Sequence, residues 1–337
     1  MSNHITTPIA QPSSSIRNPK PRIQDLLASF PYFHDLTLIL LLVGLLVFAY
    51  FSDPTFLNPA TQLDLSTHVW ELALLALPMT LIIITAGIDL SVGSTMALSA
   101  VILGLSFEHH TPIAPACLFA LLTATACGAL NGFFIARIKV HPLIVTLATL
   151  SAFRGIAEGI SEARPISGFP SSFSFLGQGS LLGLPFPALL FIGFAIITTI
   201  VLAKTPFGRF LYAIGFNPTA SRFSGILVAR IKLLLYTFSG TVAGLAAILF
   251  VSRRNTAKAD IGLGMELDVI TAVVLGGTSI FGGRGRIPGT LLGILLIHET
   301  REFVSWHYQK DELNLIVIGA LLILSVLLNA LVTPKSR

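Results

Sequence analysis

Residues 71–105 read ELALLALPMTLIIITAGIDLSVGSTMALSAVILGL: two apolar runs joined by TAGIDLSVGS, Thr85 to Ser94. A carboxylate, Asp89, sits in the join between Gly87 and Gly93. At the centre of a bilayer such a group costs roughly 2.5–3.5 kcal/mol on insertion scales, so an ionisable residue there is a functional candidate by default. The reading turns on whether lipid is the solvent.

Composition says that it is. Hydrophobic residues make up 53% of the 337-residue chain, charged residues 11%, and the mean hydropathy is +0.83. Soluble domains carry about 25% charged residues. A span needs about 20 mostly apolar residues. Hydropathy places candidate spans near 36–51, 69–86, 90–106, 113–136, 142–160, 185–203, 233–251, 267–283, 287–299 and 313–332. The expected fold is therefore an all-α polytopic membrane protein of about ten transmembrane helices. The piece 287–299 is short and either re-enters or runs on into HETREF.

The N-terminal residues 1–34 are rich in Ser, Pro and basic side chains and read as a disordered cytosolic tail; residues 35–333 form the transmembrane domain, with a cytosolic loop at about 204–232. Apolar sequence starts only near Leu36, which does not fit a cleaved signal peptide. With ten spans and a cytosolic N-terminus, 14 of the 21 Lys and Arg fall inside and 7 outside. The positive-inside rule then gives N-in, C-in, with SRRNTAK at 252–258 as a local exception. The net charge of +5 is explained by these loops, and no basic run long enough to track nucleic-acid phosphates is present.

Two segments are interrupted by glycine: 85–94, with Gly87, Asp89, Ser91, Gly93 and Ser94, and LGGTSIFGGRGRIPG at 275–289, with Gly276, Gly277, Thr278, Gly282 and Gly283. Such interruptions break a helix inside a membrane or let two backbones approach, and in transporters they point to the substrate path. The plainer reading makes these glycines packing residues and Asp89 a cap for the helix that follows. A third feature is the loop KTPFGRFLYAIGFNPTASRFSGILVARIK. Asn217 followed by Pro218 suits a helix start. Phe223, Ile226 and Leu227 then fall at i, i+3 and i+4, an apolar stripe for a partner's groove or for lipid headgroups.

Other chemistry is poorly supported. HETRE at 298–302 is not the H-E-x-x-H zinc motif, and no G-x-x-x-x-G-K-[ST] phosphate loop occurs. Cys117 and Cys127 lie ten residues apart in one apolar segment, too far along a helix to bridge. No metal, cofactor or catalytic residue is expected. An intramembrane enzyme would need a base beside Asp89, Ser91 or Ser94, and no histidine lies near them in sequence.

The blocks GIDLSVGS, GRFLYAIGFNPTASRFSGI and ELDVITAVVLGGTSIFGGRGRIPGTLLG, in this order and spacing, resemble bacterial ABC-transporter permeases of the ribose/xylose/autoinducer-2 class. The likeness runs from about Leu36 to Asn329. HETREFVSW and the 252–265 loop are closer to the rhamnose and autoinducer-2 branches. The resemblance implies an inner-membrane permease that pairs with a second permease, identical or sister. It implies two cytosolic ABC ATPase subunits, or one fused tandem ATPase, and a periplasmic or lipid-anchored sugar-binding protein. Asn217, Ala220, Arg222, Phe223, Gly225 and Ile226 would form the element that docks on the ATPase, with Gly225 turning the chain out of it. Relatives usually have Glu where this chain has Pro218, so an ion pair from that position is lost. Both glycine-interrupted blocks match segments in the membrane core. The competing expectation is an ion- or proton-coupled carrier that protonates Asp89.

Overall fold

Apolar sequence in lipid must satisfy its own backbone, and helices do so within one segment. The computed structural model describes residues 33–309 apart from 182, together with positions 313, 314, 316–321, 323 and 327 of a last helical stretch. The expected tail lies almost wholly outside the described residues, as does much of the expected span 313–332. Helix α1 covers Phe33–Ser52, α2 Pro59–Leu65, α3 Trp70–Ile84, α4 Val92–Glu108, α5 Ile113–Phe133 and α6 Pro142–Ser161. There follow α7 (Ser171–Gln178), α8 (Phe186–Lys204), α9 (Pro206–Phe216), α10 (Pro218–Phe223), α11 (Val228–Arg254), α12 (Met265–Leu275) and α13 (Ile287–Tyr308). Among the described residues, strand pairing is limited to two-residue contacts, Ile166–Ser167 with Thr256–Ala257 and Ser180–Leu181 with Leu184–Pro185.

Prolines mark many of the starts: Pro142, Pro206 and Pro218 each stand in the first turn behind His141, Thr205 or Asn217. Proline lacks the N–H that a first turn leaves unpaired anyway, and its fixed φ suits helix entry. Pro78, inside α3, is the exception and removes one internal bond.

Among the described residues, five helical stretches are long and apolar enough to cross a bilayer: 34–52, 113–138, 142–161, 186–204 and 228–254. A sixth forms if Pro59–His68 and Trp70–Ile84, bent by 55°, count as one. Shorter helices, α4 and α12, occupy the expected span 90–106 and part of 267–283. Helix α12 has 11 residues, about 16 Å of rise, and cannot cross alone. The expected span 267–283 is thus helical only to Leu275, because Gly276 and Gly277 stop it and the chain turns through 278–286. The segment beginning at 287 does run on through HETREF, to Tyr308.

Helix α11 is the post around which the others stand. It lies against α5 through small residues: a methyl group on Gly128 would strike the carbonyl oxygen of Tyr236, and one on Gly240 the carbonyl oxygen of Ala124. Small residues at this spacing let backbones approach without a hydrophobic driving force between helices. Outward faces are apolar, as at Leu40, Phe51, Ile144, Ile197 and Ile200, which suits lipid contact.

Cross-contacts sort the loops into two ends. At one end the His34 ring nitrogen bonds the Leu275 carbonyl at 2.9 Å and Arg286 donates to Asp35 at 2.8 Å. The end of α3 and helices α9 and α10 lie there too, since Gly283 N–H donates to Ile84 O and Tyr212 to Gly285 O, both at 2.8 Å. At the far end Trp306 donates to Asp53 at 2.8 Å, Arg164 pairs with Glu108 at 2.7 Å and Arg253 with Glu71 at 3.0 Å. Among the described residues, the first end carries Arg137, Lys139, Lys204, Arg209, Arg222, Arg230, Lys232, Arg284 and Arg286 against one acid, Asp35. The far end mixes both signs.

Candidate functional site

The break between α3 and α4 is built by short-range hydrogen bonds. Helix α3 ends as the Thr85 hydroxyl donates to Ile82 O at 2.8 Å, and Ala86 takes φ +55°, a left-handed value uncommon for a residue with a Cβ. Asp89 follows, 2% exposed. Its Oδ1 accepts from the Ser91 N–H at 3.0 Å and the Ser91 hydroxyl at 2.7 Å, and its Oδ2 accepts from Ser239 of α11 at 3.0 Å. The Ser91 oxygen in turn accepts from Asn131 of α5 at 2.8 Å, and Tyr236 donates to Ile88 O at 3.0 Å. The carboxylate therefore ties the break to α11 directly and to α5 through the Ser91 hydroxyl.

Asp89 is not the cap of α4 itself. Ser91 stands in the cap position and its side chain makes no capping bond. Asp89 acts one step earlier, in an Asx-type turn that aims the chain into the helix. Ser94 bonds back to Ser91 O at 2.9 Å. Gly93 lies against backbone, because a Cβ there would strike the carbonyl oxygen of Gly262, and one on Gly87 would come within 2.8 Å of the Tyr236 hydroxyl oxygen. Both glycines are required by close approach.

The second interrupted segment divides in two. Gly276 packs on Gly289 where α12 meets α13, Gly277 has φ +85° against the His34 ring, and Thr278 is buried with no partner for its hydroxyl among the described residues. Gly282 and Gly283, at φ +85° and +76°, form a turn at the basic end with Phe281 exposed beside them. The two interrupted segments meet: Gly283 N–H bonds Ile84 O, and a Cβ on Gly282 would come within 2.9 Å of Ala86. Helix α9 completes the junction, since Gly215 has backbone of both Ile84 and Gly283 against it.

Helix α10 begins as the Asn217 side chain accepts from Thr219 N at 3.0 Å and Ala220 N at 2.9 Å. It closes at Phe223, after which Gly225, φ +84°, donates to Arg222 O and Ile226 N–H to Ser221 O, both at 3.0 Å. The expected stripe of Phe223, Ile226 and Leu227 on one helix is therefore wrong in form. The helical spacing was counted across a helix end that Gly225 imposes. Phe223 is 89% exposed and stands apart, with Ala220, Arg222 and Ser224 also exposed. Ile226 and Leu227 instead line a shallow apolar hollow of about 390 Å³ with Phe207, Phe210 and Ile231.

Sequence reasoning missed Ser239, Asn131 and Tyr236, whose signal was a polar atom inside an apolar run. No cluster of metal-ligating side chains occurs among the described residues.

Residues 63–326 match the family described as the permease component of the branched-chain amino acid transport system. The chain belongs to this permease family. It is 39% identical over 280 residues to the ribose import permease protein RbsC of Bacillus subtilis, covering 82% of this chain and 87% of that one. It is 37% identical over 261 residues to the autoinducer 2 import system permease protein LsrD of Yersinia enterocolitica, covering 76% and 79%. The Yersinia pseudotuberculosis LsrD is 35% identical over 301 residues, covering 88% and 90%. No solved structure matches. The permease is accordingly a membrane-embedded transport subunit, with the break, the glycine turn and α10 inside the matched region.

Proposed function

We propose that this permease is the translocating subunit of an ATP-driven, binding-protein-dependent importer of a monosaccharide or similar small polyol, of ribose, xylose, rhamnose or autoinducer-2 type, in the bacterial inner membrane. The similarity over most of the chain to ribose and autoinducer 2 import permeases carries this reading. Cytosolic ATPase subunits would dock at the basic end and a sugar-binding protein at the far end. The excess of nine cationic residues over one acid supports that orientation under the positive-inside rule. The N-terminus then lies in the cytosol, and a second permease completes the path.

Force from the ATPase enters at α10. Exposed Phe223 offers the knob for a groove, and the Asn217 cap and Gly225 turn hold it in one orientation. Helix α9 leads from there to the junction of Ile84 and Gly283. A shift of α10 therefore moves the Asp89 break and the glycine turn together. Nucleotide shifts the equilibrium only by its differential affinity for the two arrangements, so this chain of contacts must differ between them. Asp89 serves as the brace of the break, since both its oxygens are engaged by serine hydroxyls and an N–H. A carrier that cycles protons through Asp89 would have to reverse the Ser239 bond at each turnover, since a protonated Oδ2 donates where the carboxylate accepts.

Purification of the intact permease from its own membranes tests the reading. Recovery of an ATPase with a phosphate-binding loop is expected. Its absence under conditions that keep other ABC complexes whole would overturn the importer assignment.

A further inference from the structure

Away from the break and from α10, helices α3, α11, α12 and α13 part at the far end around a cavity of about 350 Å³. That volume is in the lower range of small-molecule sites. Glu71 and Arg253 form its wall: the guanidinium Nε and Nη2 both donate to Oε1, at 3.1 and 3.0 Å. Across from them, Glu302 accepts from His68 at 3.2 Å and stands 4.0 Å from the ring of His298. Arg301 lies beside them, half exposed. Leu72, Phe250 and Ile297 supply apolar surface between the charged groups.

Glu71 and Arg253 are themselves largely packed, with 3% and 11% of their side chains exposed, whereas His68 and Arg301, which line the same cavity, are each about two-fifths exposed. Together with the cavity's apolar side chains they present each kind of sugar contact. Carboxylates accept hydroxyl protons, guanidinium groups donate, and imidazole does either. A phenyl ring and aliphatic side chains suit the C–H face of a pyranose or furanose. Sugar hydroxyls both donate and accept, so a mixed lining of this kind matches them better than a lining of one sign.

We propose that this far-end cavity is the permease's landing site for the released polyhydroxylated sugar, with Glu71 and Arg253 holding its hydroxyls and His298 and Glu302 discriminating among them. The proposal rests on the importer reading. A weak site at the entrance keeps released sugar within reach until the path opens inward. Sugar that is not held returns to the outside while ATP is still consumed.

The experiment uses the complete importer, with permease, ATPase and binding protein, in proteoliposomes. The probe is whichever of ribose, xylose, rhamnose or autoinducer-2 the wild type takes up. Two variants are compared with it: the paired replacement Glu71→Gln with Arg253→Gln, which leaves no lone buried charge, and His298→Asn. Each should lower sugar transported per ATP hydrolysed by roughly three- to tenfold, the scale of one hydrogen bond lost. ATPase stimulation by the loaded binding protein should stay at the wild-type level. Transport and stimulated hydrolysis that fall together, or neither falling, would overturn the landing site. If the paired variant fails to insert, the outcome for His298→Asn decides alone. Failure of the importer reading looks different, because the wild type itself would then take up none of the four.

Discussion

Replacing Asp89 separates a bracing role from a proton-carrying one. The carboxylate accepts three hydrogen bonds, two on Oδ1 and one on Oδ2. Interhelical hydrogen bonds within a bilayer are worth about 0.6 kcal/mol on average and up to about 1.7. Asp89→Asn keeps the carbonyl oxygen, and with it both bonds from Ser91. Only the Ser239 bond changes, and that hydroxyl can turn to accept from the new amide. The expected cost is therefore no more than about 1.7 kcal/mol. Asp89→Ala removes both acceptor oxygens and all three bonds and strands the Ser91 and Ser239 donors, with a ceiling of about 5 kcal/mol on the same scale. Thermal unfolding in detergent, read beside ATP-driven uptake in proteoliposomes, measures both. The Asn variant should keep most uptake and the Ala variant should lose stability and uptake together. An Asn variant that unfolds like the wild type yet transports nothing would refute the brace and make Asp89 a chemical participant.

Gly240→Ala should lower the unfolding temperature sharply, because its methyl group meets the Ala124 carbonyl, whereas Gly155→Ala, with open space around it, should leave the melting curve unchanged. Phe223→Ala should abolish ATP-driven uptake with insertion intact, and Gly225→Pro should do the same because proline cannot take φ +84° or donate to Arg222 O; uptake assays beside membrane fractionation check both. The Thr55 hydroxyl, the Trp306 indole and the Thr55 N–H hold Asp53 below its ordinary carboxylate value. A depressed folded value means that the tie between α1 and α13 is present above the ordinary aspartate range and lost as pH falls through the lowered one. Asp53→Asn should accordingly shift the melting temperature at neutral pH and lose that difference in acid; a pH series of melting curves reads it.

The break itself was legible because glycine and aspartate inside an apolar run are costly and conspicuous. Its supports were not, since Ser239 lies 150 residues from Asp89 and reaches it only through the packing of α11 against α4 and α5. The start of α10 was readable from Asn217 and Pro218, local signals that act within one turn. Its apolar stripe was misread, because periodicity carries no mark of where a left-handed Gly225 ends the helix. Segment 267–283 looked like one span by hydropathy, yet the glycine pair at 276–277 stops the helix and leaves Phe281 at the basic end. The far-end cavity had no sequence signal at all, as Glu71 and Arg253 are 182 residues apart.

The central claim is that this chain translocates a sugar at the expense of ATP hydrolysed elsewhere. The most direct measurement is uptake of labelled ribose, xylose, rhamnose and autoinducer-2 into proteoliposomes holding the permease, its co-purified ATPase and its binding protein, with ATP inside or outside. Accumulation of at least one of them only where ATP reaches the basic end, and only with binding protein at the far end, is the predicted result. Accumulation driven by a pH gradient without ATP, and lost in Asp89→Asn, would contradict the account.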